Sequence, residues 1–341
     1  MSSAACRTPL TVPDPHPSVA AVRLAVREAL RDTADGELVC AAVSGGADSL
    51  ALLAALAFEA PRHGRRAGMI HVDHGLVPGS ADQAERVESQ ARQLGVTDVH
   101  VISSDGRSRT GEGPEGAARR ARYSAFALAA RRTGYRHLYL AHTVDDQAEQ
   151  VLLGLARGSG TRSLAGMPAT RGELRRPLLH LTHAMLVEAC RQQHLEPWSD
   201  PSNDDPAMTR NRVRHRVMPV LEAELGPGIV AALARTASLA RADADLLDVL
   251  AREAWVRCER GPAGGAPVLD VSALVAEPDA LRGRVLRRLL LDSGAPAGDL
   301  TLGHVQSVSR LVTDWHGQGP VCIPGGLVAV RRYDTLVVEK P

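Results

Sequence analysis

The stretch Ser44-Gly-Gly-Ala-Asp-Ser49 joins one apolar run, Leu38–Val43, to a second, Leu50–Ala57. This order predicts a strand, a tight turn and a helix, so several backbone N–H groups and a helix N-terminus meet at an anion-binding point. The glycines permit a sharp turn and let a phosphate approach the backbone closely. Asp48 would repel a bare phosphate, so its presence predicts a Mg²⁺ ion between the carboxylate and the phosphates. An ordinary turn with Ser44 or Asp48 as helix cap is the alternative.

Strands and helices alternate over the first part of the chain. The strand candidates are Leu38–Val43, Gly68–Val72, Asp98–Ile102 and His137–Ala141, and helical stretches lie near 49–60, 80–95 and 115–133. The alternation predicts βαβ units, and therefore a Rossmann-like α/β fold with a parallel sheet and helices on both faces. Ligands bind beyond the carboxyl ends of such strands. Three polar segments lie there: Ser44–Ser49, His71–Leu76 and His142–Gln147.

The chain is expected to contain two domains. Residues 1–17 read as a loose arm, and residues 18–226 as the domain that carries the parallel sheet. Gly226-Pro-Gly228 marks a boundary. Residues 229–341 read as a smaller, mainly helical domain, with helices at 229–257 and 278–292 and a terminal hairpin around Pro324-Gly-Gly326.

Composition narrows the class of protein. Forty basic and 39 acidic residues leave a formal net charge of +1, so any surface that binds nucleic acid must be local. Residues 1–20 lack the pattern of a signal peptide, and no apolar run has membrane-spanning length, which predicts a soluble, cytoplasmic protein. The five cysteines form no Cys-x-x-Cys pair, which argues against a disulfide framework, a zinc site or an iron–sulfur cluster held by paired cysteines.

A second acidic helix start follows the strand candidate at 137–141. Asp145, Asp146 and Glu149 fall in or near the first turn, away from the apolar stripe of that helix. Thr143-x-x-Asp146 also fits a helix cap, so two interpretations stay open. In one, the acids only cap the helix; in the other, they hold a metal-bound triphosphate or an incoming amine.

Two groups of arginines are candidates for phosphate or RNA contacts. Arg119 and Arg122 share one helix face beside Tyr123. The run Arg210–Arg216 holds four arginines and is the most concentrated positive patch, with Val213 and Val217 expected to face inward. Either group could instead be a solvated helix face. His71 and Asp73 are expected to line a nucleotide pocket rather than to bind a metal.

Together these segments resemble one branch of the PP-loop ATP pyrophosphatases, the tRNA(Ile)-lysidine synthase family, over about residues 35–225. The blocks that carry the resemblance, in order, are Ser44–Ser49, His71–Leu76, Glu115–Tyr123, Ala141–Glu149, Arg157–Gly160, Arg176–Leu179, Asp200–Asn203 and Arg210–His215. The resemblance implies an adenine nucleotide alpha hydrolase-like fold. It also implies the reaction: ATP adenylates the wobble cytidine of a CAU-anticodon tRNA(Ile), and free L-lysine displaces AMP to give lysidine.

The resemblance assigns roles to individual residues. Ser44, Gly45, Gly46, Ala47 and Ser49, with His71 and Asp73, would bind ATP, and Asp48 would anchor Mg²⁺. Arg119 would stabilise the adenylated cytidine, Asp146 would engage the lysine ammonium or metal, and Arg212 would hold the RNA end or the leaving group. With Asp48, these are the four catalytic candidates. The remaining contacts to tRNA or substrate are expected from Arg122, His142, Asp145, Arg157, Arg210, Asn211 and Arg214.

The chain departs from the family pattern in two places. Thr143 stands beside His142 where relatives often carry a second histidine, so no catalytic role is expected for Thr143. The second domain matches less clearly and is expected to be a short form that lacks an extra carboxyl-terminal domain. No membrane partner is expected, and a homodimer is left open. The alternatives are a PP-loop tRNA thiolase, an ATP-dependent amide ligase acting on a small molecule, and a nucleotide-binding sensor without turnover.

Overall fold

The computed structural model describes residues 14–73, 79–103, 114–158, 160–263 and 266–341, with backbone alone for 114–119, 262, 263 and 266. The chain forms two compact units. The first contains residues up to Leu153 and Met167–Ala234, and the second contains Gly154–Gly166 and Arg235–Pro341. The structure therefore divides the chain a few residues after the Gly226-Pro-Gly228 segment and assigns one short internal segment to the second unit.

The helices and strands up to residue 225 follow in chain order. They are α1 (Pro17–Ala29), β1 (Leu38–Ala42), α2 (Ala47–Arg62), β2 (Arg66–Asp73), α3 (Ser80–Gln93), β3 (Asp98–Ser103), α4 (Pro114–Thr133), β4 (His137–Tyr139), α5 (Val144–Ala156), α6 (Thr161–Leu164), β5 (Thr170–Arg171), β6 (Leu174–Arg175), α7 (His183–Gln192), a 3₁₀ turn (Pro201–Asp204), α8 (Thr209–Arg212), a π-helical turn (Val213–Val217) and α9 (Met218–Leu225).

The first unit is built on a six-stranded sheet of order β3-β2-β1-β4-β6-β5. Strands β1 to β4 and β6 pair in parallel, with Val39 opposite Ala67 on one side and His137 on the other. The predicted parallel sheet and its four strands are confirmed. Strands β5 and β6 form a short antiparallel hairpin at the edge, which was not predicted because each has only two residues.

The sheet positions the loop Ser44–Ser49, which we call the phosphate loop after its predicted role, because the strand before it and the helix that starts in it are both buried. In β1, residues Leu38–Ala41 are buried, as expected for a central parallel strand covered on both faces. Helix α2 is apolar around most of its surface and packs into the same core through Leu50, Leu53 and Leu56. The turn between them is therefore held at the carboxyl edge of the sheet by burial on either side.

The second unit has its own core and a sheet larger than predicted. Besides α6, its elements are the part of α10 (Ile229–Cys258) that follows Ala234, β7 (Glu259–Ala263), β8 (Ala266–Asp270), α11 (Val271–Ala276), α12 (Asp279–Asp292), α13 (Leu302–Thr313), β9 (Val321–Ile323), β10 (Leu327–Arg332) and β11 (Thr335–Glu339). The hairpin around Pro324-Gly-Gly326 is confirmed as the pairing of β9 with β10. It belongs to a five-stranded antiparallel sheet of order β7-β8-β11-β10-β9 that packs against α11, α12 and α13.

Within the described residues, no single helix is long and apolar enough to cross a bilayer, and one sharply bent pair, 209–225 with 229–258, passes only when its two helices are taken together.

Candidate active site

The loop Ser44–Ser49 is closed by the hydroxyl group of its last residue. Ser49 Oγ accepts hydrogen bonds from the backbone N–H groups of Ser44 and Gly45, each at 3.2 Å, and donates to the carbonyl of Gly46 at 2.9 Å. Helix α2 begins within this segment, at Ala47, so its N-terminal N–H groups add to the positive end of the loop. A phosphate oxygen can take the place of the serine hydroxyl as acceptor, as the predicted anion site requires.

Gly45 is the residue that lets this loop form. Its φ is +97°, in the region that favours glycine, and a Cβ atom there would lie 2.2 Å from Nε2 of the buried Gln83 on α3. The Gly45 carbonyl accepts the N–H of Trp198 at 2.9 Å. The loop is therefore packed between α3 and the segment after α7, contacts that the local sequence did not indicate.

Asp48 contacts a residue that sequence reasoning missed. Its Oδ1 lies 2.8 Å from Nδ1 of His183, the first residue of α7. Burial raises the pKa of Asp48, partly offset by the bond to His183, while the same bond raises the pKa of His183. The available sequence signal was Thr182-His183 at a helix start just after the Arg176–Leu179 block, where Thr182 caps α7.

Asp145 is also used in positioning α7. Its Oδ2 accepts the backbone N–H of His183 at 2.8 Å, so two acids from different helices converge on one histidine. The structure thus brings the start of α2 and the start of α5 to the start of α7, all in the first unit.

Asp146 caps α5, as one of the two interpretations that the sequence left open expects, and it also pairs with an arginine. Its Oδ2 accepts the N–H of Thr143 at 2.9 Å, and its own N–H donates to the Thr143 hydroxyl at 3.4 Å, which forms a reciprocal cap on α5. Its Oδ1 faces the other way and accepts from Arg214 Nη2 at 3.2 Å. Burial favours the neutral acid, but nearby cationic groups, including Arg210 and Arg214, and the Thr143 N–H lower the pKa of Asp146 overall.

Glu149 joins the two arginines that flank Asp146. Its side chain is 2% exposed, and its two oxygens accept Arg210 Nε at 2.7 Å and Arg214 Nε at 2.5 Å. We call Asp146, Glu149, Arg210 and Arg214 the acid–arginine cluster. This acid draws the Arg210 side chain partly inward, to 24% exposure, whereas the Arg214 side chain remains 42% exposed. Val217 is 42% exposed rather than inward-facing.

Arg212 and Asn211 contact the loop that precedes α8. The Arg212 guanidinium donates to the carbonyls of Pro206 and Ala207 at 2.6 and 2.9 Å. The Asn211 amide donates to the carbonyls of Ser202 and Asp205 at 2.9 and 3.0 Å. Together with neighbouring side chains they line an open pocket of about 340 Å³, whose lining residues are Asp204, Pro206, Asn211, Arg212, His215 and Arg216.

Two predicted histidines lie at the carboxyl edge of the sheet, His71 buried and His142 half-buried. Nδ1 of His71 lies 2.7 Å from the carbonyl of Val43, so this ring fixes the strand end before the phosphate loop. Nδ1 of His142 is buried and has no hydrogen-bond partner within the described part of the chain. Burial lowers the pKa of His142 to about 4, so the ring is neutral at physiological pH, and the charges of Asp146 and Arg122 act on it.

Several of the predicted site residues remain to be placed, and some of them fall outside the described residues. The side chain of Arg119, residues 74–76 of the His71–Leu76 block and Ser159 of the Arg157–Gly160 block are outside them. Asp73 is described at the end of β2, whereas Arg122 and Arg157 are exposed. Arg157 belongs to the second unit.

The described residues contain no group of three or more His, Cys, Asp or Glu side chains placed to hold a metal. Burial raises the pKa values of the Cys40 and Cys190 thiols to about 12, so neither thiol is ionised at neutral pH. Asp48, beside the loop Ser44–Ser49, is the predicted carboxylate ligand for Mg²⁺, whose remaining ligands would include phosphate oxygens. A carboxylate beside an anion-binding loop is the type of oxygen ligand that suits this ion.

Comparisons with known proteins find matches in both units of the chain. A family model described as a PP-loop domain matches residues 20–221, and one described as a TilS substrate binding domain matches 269–337. The tRNA(Ile)-lysidine synthase of Thermobifida fusca is 51% identical, with 95% of this chain and 98% of that protein covered. That of Streptomyces coelicolor is 48% identical, with 96% and 99% covered, and that of Leifsonia xyli 52%, with 90% and 91% covered.

A solved structure adds a likeness in fold. The U34-tRNA thiolase NcsA from Methanococcus maripaludis with its [4Fe-4S] cluster aligns with a TM-score of 0.54 at 17% identity, covering 64% of this chain and 78% of that one. At this identity the likeness shows the fold alone. The two family matches and the near-complete relatives show that the chain belongs to the tRNA(Ile)-lysidine synthase family, and that it is a PP-loop enzyme that uses ATP.

Proposed function

We propose that this chain ligates free L-lysine to C2 of the wobble cytidine of a CAU-anticodon tRNA(Ile), with ATP converted to AMP and pyrophosphate. The observation that carries the proposal is the convergence, in one unit, of the phosphate loop, the Asp48–His183 pair and the acid–arginine cluster. The chain's near-complete match to relatives named tRNA(Ile)-lysidine synthase supports the choice of substrate. The product would read AUA codons as isoleucine.

The first step is adenylation of the cytidine. O2 of cytosine attacks the α-phosphorus of ATP, the bond to the β-phosphate breaks, and pyrophosphate leaves. In this proposal the N–H groups of the loop Ser44–Ser49 hold the phosphates, and His71 and Asp73 line the nucleotide pocket. Asp48 would hold Mg²⁺, which supplies charge neutralisation at the phosphates when bound. Arg119 and Arg212 would act on the developing charge, as the family resemblance implies.

The second step is transfer of lysine. The ε-ammonium gives up a proton to solvent, the resulting amine attacks C2, the bond from C2 to the phosphate-bearing oxygen breaks, and AMP leaves. Free lysine carries an ammonium group at neutral pH, so an ionised carboxylate is needed to select it. Asp146 suits this role because its pKa is lowered and the carboxylate stays ionised. In this structure Arg214 occupies one of its oxygens, so we propose that a phosphate group draws Arg214 away when the substrates bind.

The decisive experiment measures incorporation of labelled lysine into an unmodified CAU-anticodon tRNA(Ile) transcript, with ATP and Mg²⁺. Label should be retained on the RNA, should require ATP, and should be lost in Asp48→Ala. The control variant is Asp292→Asn, which alters a surface carboxylate of the second unit and should keep full activity. Pyrophosphate release without label would redirect the search to another nucleophile. If folded protein gives neither labelled RNA nor pyrophosphate, the remaining interpretation is a protein that binds nucleotide without turnover.

The role of Asp146 is tested by separating the two steps. Asp146→Asn keeps the shape of the side chain but removes its charge, so pyrophosphate release should be reduced less than lysine transfer. The KM for lysine should rise while the KM for ATP changes little. Equal loss of both steps would assign Asp146 to capping α5 or to metal binding instead of to amine selection.

The proposal also covers location and assembly. We place the reaction in the cytoplasm, because its substrates are tRNA, ATP and free lysine. A homodimer is the assembly that the sequence left open, and sedimentation velocity of the purified protein, with and without tRNA, decides between one chain and two.

A further inference from the structure

The hairpin turn between β10 and β11 carries an aromatic residue that the fold does not use. Tyr333 has a φ of +54°, in the left-handed region, and is 93% exposed. Glycine or asparagine adopts this conformation with less strain, whereas a bulky side chain there is an outlier. Because the ring is almost fully solvated, it contributes no burial that offsets the strain. Strained residues of this kind concentrate at binding sites.

A second exposed aromatic residue is connected to the same turn by an arginine. The Arg331 guanidinium lies 5.2 Å from the centre of the Trp315 ring, and Trp315 is 39% exposed. Arg331 Nε donates to the carbonyl of Tyr333 at 2.9 Å, and its Nη1 donates to the carbonyl of Leu311 at 2.9 Å. We call Trp315, Arg331 and Tyr333 the aromatic platform.

The charge of the platform is positive. The contacts that hold Arg331 are to carbonyl oxygens and an aromatic ring, and within the described residues it has no carboxylate partner. The acids on the same hairpin are paired with other arginines, Asp334 with Arg260 and Glu339 with Arg332. The guanidinium is thus fixed in place by backbone carbonyls, beside the Trp315 ring and next to the turn that carries Tyr333, and within the described residues no carboxylate pairs with it.

We propose that the aromatic platform stacks an unpaired base of the tRNA substrate. This inference rests on the proposed function and adds a contact to it. Aromatic rings and arginine planes are the groups on which proteins stack unpaired RNA bases, and the fixed positive charge favours the adjoining phosphate. Its position within residues 269–337, the segment matched as a substrate binding domain, agrees with RNA as the occupant.

The test compares tRNA binding by two variants at one position. Tyr333→Asn removes the ring but suits the left-handed turn, so the protein should melt no lower than the unaltered chain. Its affinity for tRNA should nevertheless fall about 5- to 100-fold, the loss expected for one stacked base. Tyr333→Phe keeps the ring and should bind within about twofold of the unaltered chain.

Truncated RNAs identify where the base comes from. The comparison uses the full transcript, a transcript without its single-stranded 3′ end, and the isolated anticodon stem-loop. The effect of Tyr333→Asn should disappear for the RNA that lacks the stacked base.

Unchanged affinity of Tyr333→Asn for the full transcript would overturn the proposal. Equal loss in Tyr333→Phe would do so as well, because the hydroxyl would then be the contact. A change in sedimentation without a change in RNA affinity would assign the face to a second copy of the chain.

Failure of this inference is separable from failure of the proposed function. Binding is measured without ATP and lysine, so it reports on the platform alone. In turnover, Tyr333→Asn should raise the KM for tRNA and leave kcat near that of the unaltered chain. If the protein forms no lysidine but its tRNA binding still depends on the Tyr333 ring, the proposed reaction is refuted and the aromatic platform stands.

Discussion

Glu149 has the most buried carboxylate of the acid–arginine cluster, and it determines where two arginines lie. At 2% exposure it is paired through both oxygens, to Arg210 and to Arg214. A buried charge is tolerated when it is paired and hydrogen-bonded, and removal of one partner leaves the others uncompensated. Glu149 is therefore a positioning residue: it sets the direction of Arg214 toward Asp146.

Glu149→Gln should destabilise the first unit by about 3 kcal/mol, because two partly buried guanidinium groups lose their charged acceptor. Chemical denaturation measures the free energy of unfolding. Glu188→Gln is the matched control, since Glu188 also holds an arginine through both oxygens, Arg191, but on the surface. It should change stability far less. Equal losses in the free energy of unfolding of the two variants would mean that burial of the ion pairs does not contribute to stability.

His142 predicts a pH dependence of stability. Burial lowers its pKa in the folded state to about 4, against about 6.5 in the unfolded chain. Between these values the unfolded chain binds more protons, so stability falls as the pH is lowered from 6.5 to 4, by about 3 kcal/mol at most. His142→Gln removes the titrating group. The stability difference between the two proteins should therefore change across this interval, and a constant difference from pH 7 to 4 would contradict the assignment.

At the scale of elements, the phosphate loop depends on the packing of α3 against the turn between β1 and α2. Gly45 combines a φ of +97° with a side-chain neighbour, Gln83, where a Cβ atom would be placed. Gly36 has a φ of +74° with nothing within 4 Å of that position. Alanine substitutions at these two glycines therefore distinguish the cost of backbone strain from the cost of a steric clash.

Gly36→Ala should cost about 1 kcal/mol of stability from backbone strain alone. Gly45→Ala should cost clearly more and should abolish ATP-dependent pyrophosphate release, because the loop or α3 must move. The double variant Gly45→Ala, Gln83→Ala should recover the steric part of the loss but not the strain. Thermal denaturation and pyrophosphate release measure the two effects. No recovery in the double variant would show that Gln83 is not the obstacle.

At the scale of the whole molecule, the chain has two compact units with separate hydrophobic cores. The phosphate loop and the acid–arginine cluster belong to the first unit. A ligand that binds only the folded first unit should stabilise that unit by mass action, by about 2.7 kcal/mol at a concentration one hundred times its Kd.

A non-hydrolysable ATP analogue should therefore slow hydrogen exchange in β1 and α2 and leave β10 and β11 unchanged. Hydrogen exchange resolved by peptide measures both units in one sample. Asp48→Ala is the control in which Mg²⁺-dependent protection should be reduced. Equal protection of the second-unit sheet would show that the two units respond to the nucleotide as one.

The parts of the fold that the sequence predicted are those with a local cause. Strands β1 to β4 and helices α2 to α4 follow from apolar runs that alternate with helical stretches, and they were found close to their expected bounds. The five-stranded sheet of the second unit was anticipated only as a hairpin, because antiparallel pairing between distant segments leaves no periodic signal in either one. Edge strands β5 and β6, of two residues each, are too short to produce a pattern.

For the candidate site, the sequence by itself determined the phosphate loop, since its turn, its glycines and its helix N-terminus are adjacent in the chain. It also determined the cap formed by Thr143 and Asp146, three residues apart. Only the tertiary structure decided which charges meet. His183 reaches Asp48 across 135 residues, and Arg210 and Arg214 reach Glu149 across 61 and 65. Pairing between residues so far apart in the chain depends on how the sheet brings strand ends together, and a local sequence pattern does not indicate it.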